Sequence, residues 1–144
     1  MLSRRALSRA EIAERLERRG FATADVAAEL RRLAAAALLD DVALARRVCE
    51  DGLMRGQGRR AIAATLRRRK IPRQVASEAV EEIEEGAVWN ALQRSFARAA
   101  KRYAEWRDDR RERDKLVRSL LARGFDLAAV KRIMARVRTD EDGV

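Results

Sequence analysis

Histidine is absent from this chain, and cysteine and proline occur once each. The first absence removes the usual general base, the usual activator of a nucleophile and the commonest zinc ligand. The single Cys49 excludes an intrachain disulfide and a thiolate cluster. It shares an apolar helical stripe with Ala45 and Leu53, where a small buried thiol is expected. Glycine is scarce, at 7 residues, which argues against a fold of many strands and tight turns. No apolar run is longer than residues 33–39, about a third of what a membrane span needs. Arg4 and Arg5 are followed by Glu11 and Glu14 instead of an apolar stretch, unlike a secretory or mitochondrial leader. These absences lead to the expectation of a reduced, cytoplasmic chain with no catalytic site, cofactor or metal.

Charge and apolar residues are what the chain has in quantity. Charged residues make up 39% and apolar residues 47% of its 144 positions, enough apolar material to build a core. Lysine and arginine total 33 against 23 acids, a formal charge of +10. Only Lys70, Lys101, Lys115 and Lys131 are lysines, so the arginine excess partly reflects compositional bias. Distribution is more informative than the total. Residues 52–77 contain no acid but hold Arg55, Arg59, Arg60, Arg67, Arg68, Arg69, Lys70 and Arg73. Glu78, Glu81, Glu82, Glu84 and Glu85 follow with no base among them. Segregation of this kind is what an electrostatic binding surface requires.

Helical periodicity runs nearly end to end, and one pattern recurs three times. Ile12, Leu16, Phe21, Val26, Leu30 and Leu33 correspond to Ile62, Leu66, Ile71, Ala76, Val80 and Ile83. They correspond again to Leu116, Leu120, Phe125, Val130, Met134 and Val137. Each copy reads as an amphipathic helix, a tight turn and a second amphipathic helix. Gly20 and Gly124 fall at the turn, where a left-handed cap suits glycine. Lys70 replaces them in the middle copy, followed by Pro72 at a helix start. Ser8 and Glu11 have capping-box spacing, and Asp40 and Asp41 can cap a helix over about 42–53. A longer helix is expected over about 87–106, with Trp89, Leu92, Phe96, Ala100 and Tyr103 on one stripe. The fold class expected is all-α, tandem three-helix repeats in an elongated or curved array. The boundaries expected are residues 1–39 for a first repeat whose first helix is short or missing, 40–85 for the second and 86–138 for the third. A frayed acidic tail is expected over 139–144.

Four segments in register resemble the RecX family, bacterial regulators of the RecA recombinase. Ser8-Arg9-Ala10-Glu11 with Leu16-Glu17-Arg18-Arg19-Gly20-Phe21 resembles the family's first repeat. Leu38-Leu39-Asp40-Asp41 is similar to its junction into the second. Gly56-Gln57-Gly58-Arg59-Arg60, with Leu66 and Lys70-Ile71-Pro72, resembles the glycine–arginine segment of the second repeat. Leu120-Leu121-Ala122-Arg123-Gly124-Phe125 is similar to the closing repeat. The match spans about residues 1–137. The chain departs from the family in lacking a full helix before Ser8, and Leu44 stands where an aromatic is common. The resemblance implies a protein that binds the RecA–single-stranded DNA filament in its groove, spanning protomers. It implies inhibition of ATP hydrolysis, strand exchange, coprotease activity and filament extension, in DNA repair, recombination and the SOS response. The partners expected are the RecA nucleoprotein filament and the single-stranded DNA within it. No membrane partner is expected, and the chain itself is expected to be a monomer.

The candidate contact residues separate by helical rotation. Arg69 lies within about 20° of Ile62, beside the apolar stripe, whereas Arg60, Arg67 and Arg68 lie about 160°, 140° and 240° away. The recurring sets Arg9, Arg59, Arg113 and Arg19, Arg69, Arg123 therefore read mainly as structural, their stems covering apolar surface. The outward set belongs to the middle repeat alone. Its counterparts are Ala10, Glu17 and Arg18 in the first repeat, and Asp114, Leu121 and Ala122 in the third. Arg60, Arg67, Arg68 and Arg73 are thus the first candidates for phosphate or acidic-protein contact. Arg59, Lys70, Arg110 and Arg111 are the further ones. Trp89, Phe96 and Tyr103 are expected in the core, and Trp106, among charges at a helix end, is the one aromatic left open between core packing and base stacking. The acid pairs Glu78/Glu82 and Glu81/Glu85 read as a solvated face. The alternative to a filament regulator is a free-standing helical DNA-binding protein acting on bare nucleic acid. That reading is weakened by the lack of Asn or Gln in the basic helix. A pure protein scaffold would show no dependence on nucleic acid.

Overall fold

The structure, a computed structural model, describes residues 7–35 and 40–142. Among these residues it is all-helical: α1 (Arg9–Arg18), α2 (Thr23–Ala35), α3 (Asp41–Met54), α4 (Arg59–Arg68), α5 (Arg73–Glu81), α6 (Glu85–Arg102), α7 (Arg110–Ala122) and α8 (Leu127–Asp142). No helix among the described residues is long and apolar enough to cross a membrane. Met1 to Ala6, and Leu38 and Leu39 of the junction, lie outside the described residues. The three expected helix–turn–helix pairs are α1–α2, α4–α5 and α7–α8. Their turns carry positive φ at Gly20 (89°), Lys70 (56°) and Gly124 (96°). The chain divides into two compact units, one of residues up to 49 with 63–82, the other of 50–62 with 83 onward.

In the first unit, Ser8 caps α1. Its hydroxyl accepts from the Glu11 N–H while Glu11 accepts from the Ser8 N–H, the capping box expected from the spacing. Asp40 caps α3, its Oδ1 accepting from the Val42 and Ala43 N–H groups at 3.0 and 3.1 Å. Asp41 instead accepts from the Arg9 N–H at 3.2 Å, satisfying the first turn of α1. Ser8 also donates its hydroxyl to the Arg69 carbonyl at 2.8 Å, and Arg69 Nη2 donates to Glu11 Oε1 at 3.1 Å. The turn between α4 and α5 is thus pinned to the start of α1. Ile12, Val26, Leu44, Ala45, Val48, Cys49, Leu66 and Ile71 are buried. Phe21, expected on the apolar stripe, is 51% exposed. Arg32 donates to Glu29 at 3.0 Å, and that hydrogen bond holds the exposed Glu29 carboxyl below its ordinary range and raises Arg32.

The second unit repeats this docking with different chemistry. Gly58 N–H donates to the Arg123 carbonyl at 2.9 Å, and Arg60 N–H to the Gly124 carbonyl at 3.2 Å. The turn between α7 and α8 thereby supplies acceptors to the open N-terminus of α4. The approach is so close that a Cβ on Gly124 would fall 2.3 Å from the Ala61 nitrogen. Gly56, at φ 74°, is held by Ser95, whose hydroxyl donates to the Gly56 carbonyl at 2.6 Å. These contacts explain the Gly56-Gln57-Gly58 segment physically: side chains would separate the turn from the helix.

The core of this unit joins Leu92, Phe96, Ala99, Trp106, Leu116, Leu120, Phe125, Val130 and Ile133. One expectation is corrected here and one open question is answered. The long helix expected over 87–106 is α6, which ends at Arg102 with Tyr103 as its C-cap. Trp106, which the sequence leaves open between core and stacking, is fully buried in the turn that follows. Its ring meets Phe96 edge-on at 5.6 Å, with the Arg107 and Arg138 guanidinium groups 4.6 and 5.4 Å from its centroid. The indole folds back under Phe96 while its charged neighbours cover it, so it is not offered to nucleic acid. The tail expected from 139 is helical through Asp142 in α8, and Thr139 donates to the Ala135 carbonyl at 2.9 Å.

Candidate binding surface

The last turn of α4 and the first of α5 place three of the first candidates in one unit. Arg67 and Arg68 close α4, where the negative end of the helix dipole favours a cation, and both are exposed. Arg68 Nη2 donates to Thr65 Oγ1 at 2.9 Å, which steadies the guanidinium without burying it. Arg73 is exposed and is the first residue of α5. A cation there opposes the helix dipole, at a cost of about 0.3–1 kcal/mol, so its position does not serve the stability of α5. Arg67 and Arg73 both line a groove of about 710 Å³ floored by Ala63, Ile71, Ala76 and Val80, with Ser77 and Glu81 completing it.

The remaining candidates have different surroundings. Arg60, exposed in the first turn of α4, belongs to the other unit. Arg59, half-buried beside it, donates to the Ile83 carbonyl at 2.7 Å and pairs with Glu85 at 3.1 Å. Arg113, its counterpart in the third repeat, likewise donates to the Trp106 and Arg107 carbonyls at 3.1 and 2.6 Å. Arg69 and Arg123 are engaged as well, the first with Glu11 and the second with the Arg55 carbonyl at 2.8 Å. Lys70, half exposed, is paired with Glu14. Arg110 and Arg111 are exposed at the start of α7, where Asp109 accepts from the Arg111 N–H at 2.8 Å.

The geometry thus brings Arg67 and Arg73 together on one groove, leaves Arg68 exposed beside it at the end of α4, and ties Arg59 and Lys70 to acids of their own units. Exposed guanidinium groups such as these can engage phosphates or carboxylates in forked hydrogen bonds. Of the acids, Glu78 accepts from Gln74 at 2.8 Å and Glu82 pairs with Arg46 at 3.5 Å. No group of three or more possible metal-ligating side chains occurs among the described residues. Sequence reasoning missed the groove itself. The signal available was side-chain volume, since Ile71, Ala76 and Val80 are each smaller than their counterparts in both other repeats.

Comparison with known proteins places this architecture. The family profile described as RecX, second three-helix domain, matches residues 40–80. The regulatory protein RecX of Chromohalobacter salexigens is 39% identical over 135 residues, covering 94% of this chain and 86% of that protein. The regulatory protein RecX of Mycobacterium sp. (strain KMS) is 40% identical over 88 residues, and the match takes in 60% of this chain and 48% of that protein. The crystal structure of RecX from Lactobacillus salivarius superposes with a TM-score of 0.83 at 19% identity. It covers 95% of this chain and 89% of that one, and shares the fold of tandem three-helix repeats. On the sequence relationship to the Chromohalobacter protein and the match to the second three-helix domain, the chain belongs to the RecX family of regulatory proteins.

Proposed function

We propose that the chain is a non-enzymatic regulator that binds the RecA–single-stranded DNA filament and inhibits its ATP hydrolysis, strand exchange and extension. Membership in a family of regulatory proteins supports a regulatory role. The observation that carries the reading to a filament is the exposure of three arginines of the middle repeat, Arg67, Arg68 and Arg73. Arg60 adds a fourth outward cation, in the first turn of α4. A polyanionic filament is the kind of target for which such unneutralised cations are worth keeping. Absence of histidine removes the commonest catalytic acid–base group. In this reading the protein works in the cytoplasm as a monomer, in recombination, DNA repair and the SOS response.

Bare duplex DNA is a poorer fit. Thr65 is the one uncharged polar side chain on α4, and it already accepts from Arg68. Forked readout of an adenine edge needs an Asn or Gln amide, which this helix does not offer. The test is RecA's DNA-dependent ATP hydrolysis on single-stranded DNA, with the chain titrated below the amount that would coat the DNA. Loss of hydrolysis at such ratios is expected. Loss only at saturation would mean competition for DNA and would overturn the filament reading.

A further inference from the structure

We propose that the groove between α4 and α5 is a docking site for an acidic segment of a protein partner that carries a bulky apolar side chain. A hollow of about 540 Å³ also lies between α1 and α2, around Leu16 and Phe21, but the lining of the α4–α5 groove is particular to the middle repeat. Its floor has Ile71 where the other repeats have Phe21 and Phe125, Ala76 where they have Val26 and Val130, and Val80 where they have Leu30 and Met134. Val26 and Val130 are 4% and 0% exposed, whereas Ala76 is half-buried against open space. Smaller apolar residues at three floor positions deepen a hollow of about 710 Å³, within the range of roughly 300–1,000 Å³ that suits an inserted group.

The rim is equally specific to this repeat. Arg67 corresponds to Glu17 and Leu121, and Arg73 to Thr23 and Leu127. Arg73 opens α5, whose N-cap Pro72 offers no side-chain hydrogen bond and whose first turn holds no acid. The positive end of α5 and two guanidinium groups therefore add up at one end of the groove. Glu81 lies at the other end, about 12 Å along the helix. That polarity orients an incoming segment, its carboxylates toward Arg67 and Arg73 and away from Glu81.

Charge complementarity selects an acidic ligand, and the floor selects a protein. A phosphodiester backbone has nothing to fill an apolar hollow, and bases stack on aromatic rings, of which the groove has none. An acidic peptide supplies both parts, the carboxylates and an anchoring Leu or Phe. Identification of the segment's owner as the protein part of the filament rests on the function proposed above; the groove's chemistry does not.

The experiment measures fluorescence anisotropy of a fluorescein-labelled oligoglutamate carrying one central phenylalanine. The same oligoglutamate without phenylalanine and an oligothymidylate of equal charge are the comparisons. Ala76→Val introduces the residue that the other repeats use, and Val80→Met does the same for the third repeat, so both raise the floor of the hollow where an anchoring side chain would sit, with the fold retained by circular dichroism. The intact chain is expected to prefer the phenylalanine peptide by about tenfold or more. Each filled variant is expected to lose that preference and keep its oligothymidylate affinity. No preference in the intact chain, or an undiminished preference in both filled variants, would overturn the proposal. Equal weakening of peptide and oligothymidylate would also overturn it, making the groove part of a nucleic-acid surface. RecA hydrolysis measured in parallel separates the two readings. If the intact chain fails to inhibit it but binds the peptide as described, the filament reading falls and the groove stands.

Discussion

Lys70 holds a left-handed backbone at the turn where the first and third repeats place Gly20 and Gly124. For a side chain with a Cβ that conformation costs about 1–2 kcal/mol, and pairing with the exposed Glu14 offsets only part of it. Lys70→Gly is therefore expected to stabilise the protein by up to about 1 kcal/mol, read as a rise in urea midpoint at constant slope. A fall would show that the ion pair outweighs the strain. Trp106 makes the opposite case. Its indole is fully buried against Phe96, so Trp106→Ala is expected to cost about 3–5 kcal/mol, and a loss below about 1 kcal/mol would place the ring outside the core. The glycine turns, the Ser8–Glu11 box and the burial of Cys49 could all be read from the sequence, because each depends on near neighbours. Burial of Trp106 could not. Its neighbours Arg107, Asp108 and Asp109 are charged, and only the fold brings the Arg107 and Arg138 guanidinium groups over its ring.

At the scale of the element, the helix–turn–helix pair docks its turn onto the start of another helix. Arg69 does this in the first unit, with both it and Glu11 only 14–15% exposed in the side chain. Arg69→Ala is expected to cost about 1–2 kcal/mol and leave nucleic-acid affinity of the folded protein unchanged; weakened binding at full folding would assign Arg69 to the surface instead. The outward arginines behave in the reverse way. Arg60, Arg67 and Arg68 changed together to Ala are expected to leave melting within about 0.5 kcal/mol and weaken filament binding. The salt slope on single strands should fall by up to about 2, at roughly 0.7 per phosphate contact. Unchanged affinity with unchanged salt dependence would remove this face from the binding surface. Helical rotation alone separated Arg69 from these three, since the period of an α-helix fixes direction. It could not show what the groove beside them holds, because a match of apolar type at Ala76 conceals the missing volume.

For the whole molecule, charge is the property that spans all repeats. With no histidine in the chain, no side chain of ordinary pKa changes charge between about pH 6 and 8. Melting temperature is expected to be level across that window apart from any effect of the terminal amine, and a sigmoidal change centred below about pH 7 would reveal a side chain whose titration the fold has displaced. Glu29, whose carboxyl Arg32 holds below its ordinary 4.5, contributes stability above that value and loses it as pH falls through the lowered one. The repeat order and the family were open to sequence reasoning because spacing survives where identity does not. The target was not, because a cationic surface attracts DNA and acidic protein alike. The most direct test compares equilibrium binding of the labelled chain to a RecA filament, locked with a non-hydrolysable ATP analogue, and to the same single-stranded DNA without RecA at the same salt. Binding to the filament tighter by about tenfold or more is the outcome predicted. Equal or tighter binding to the bare strand would contradict a filament-directed regulator and leave a general nucleic-acid binder in its place.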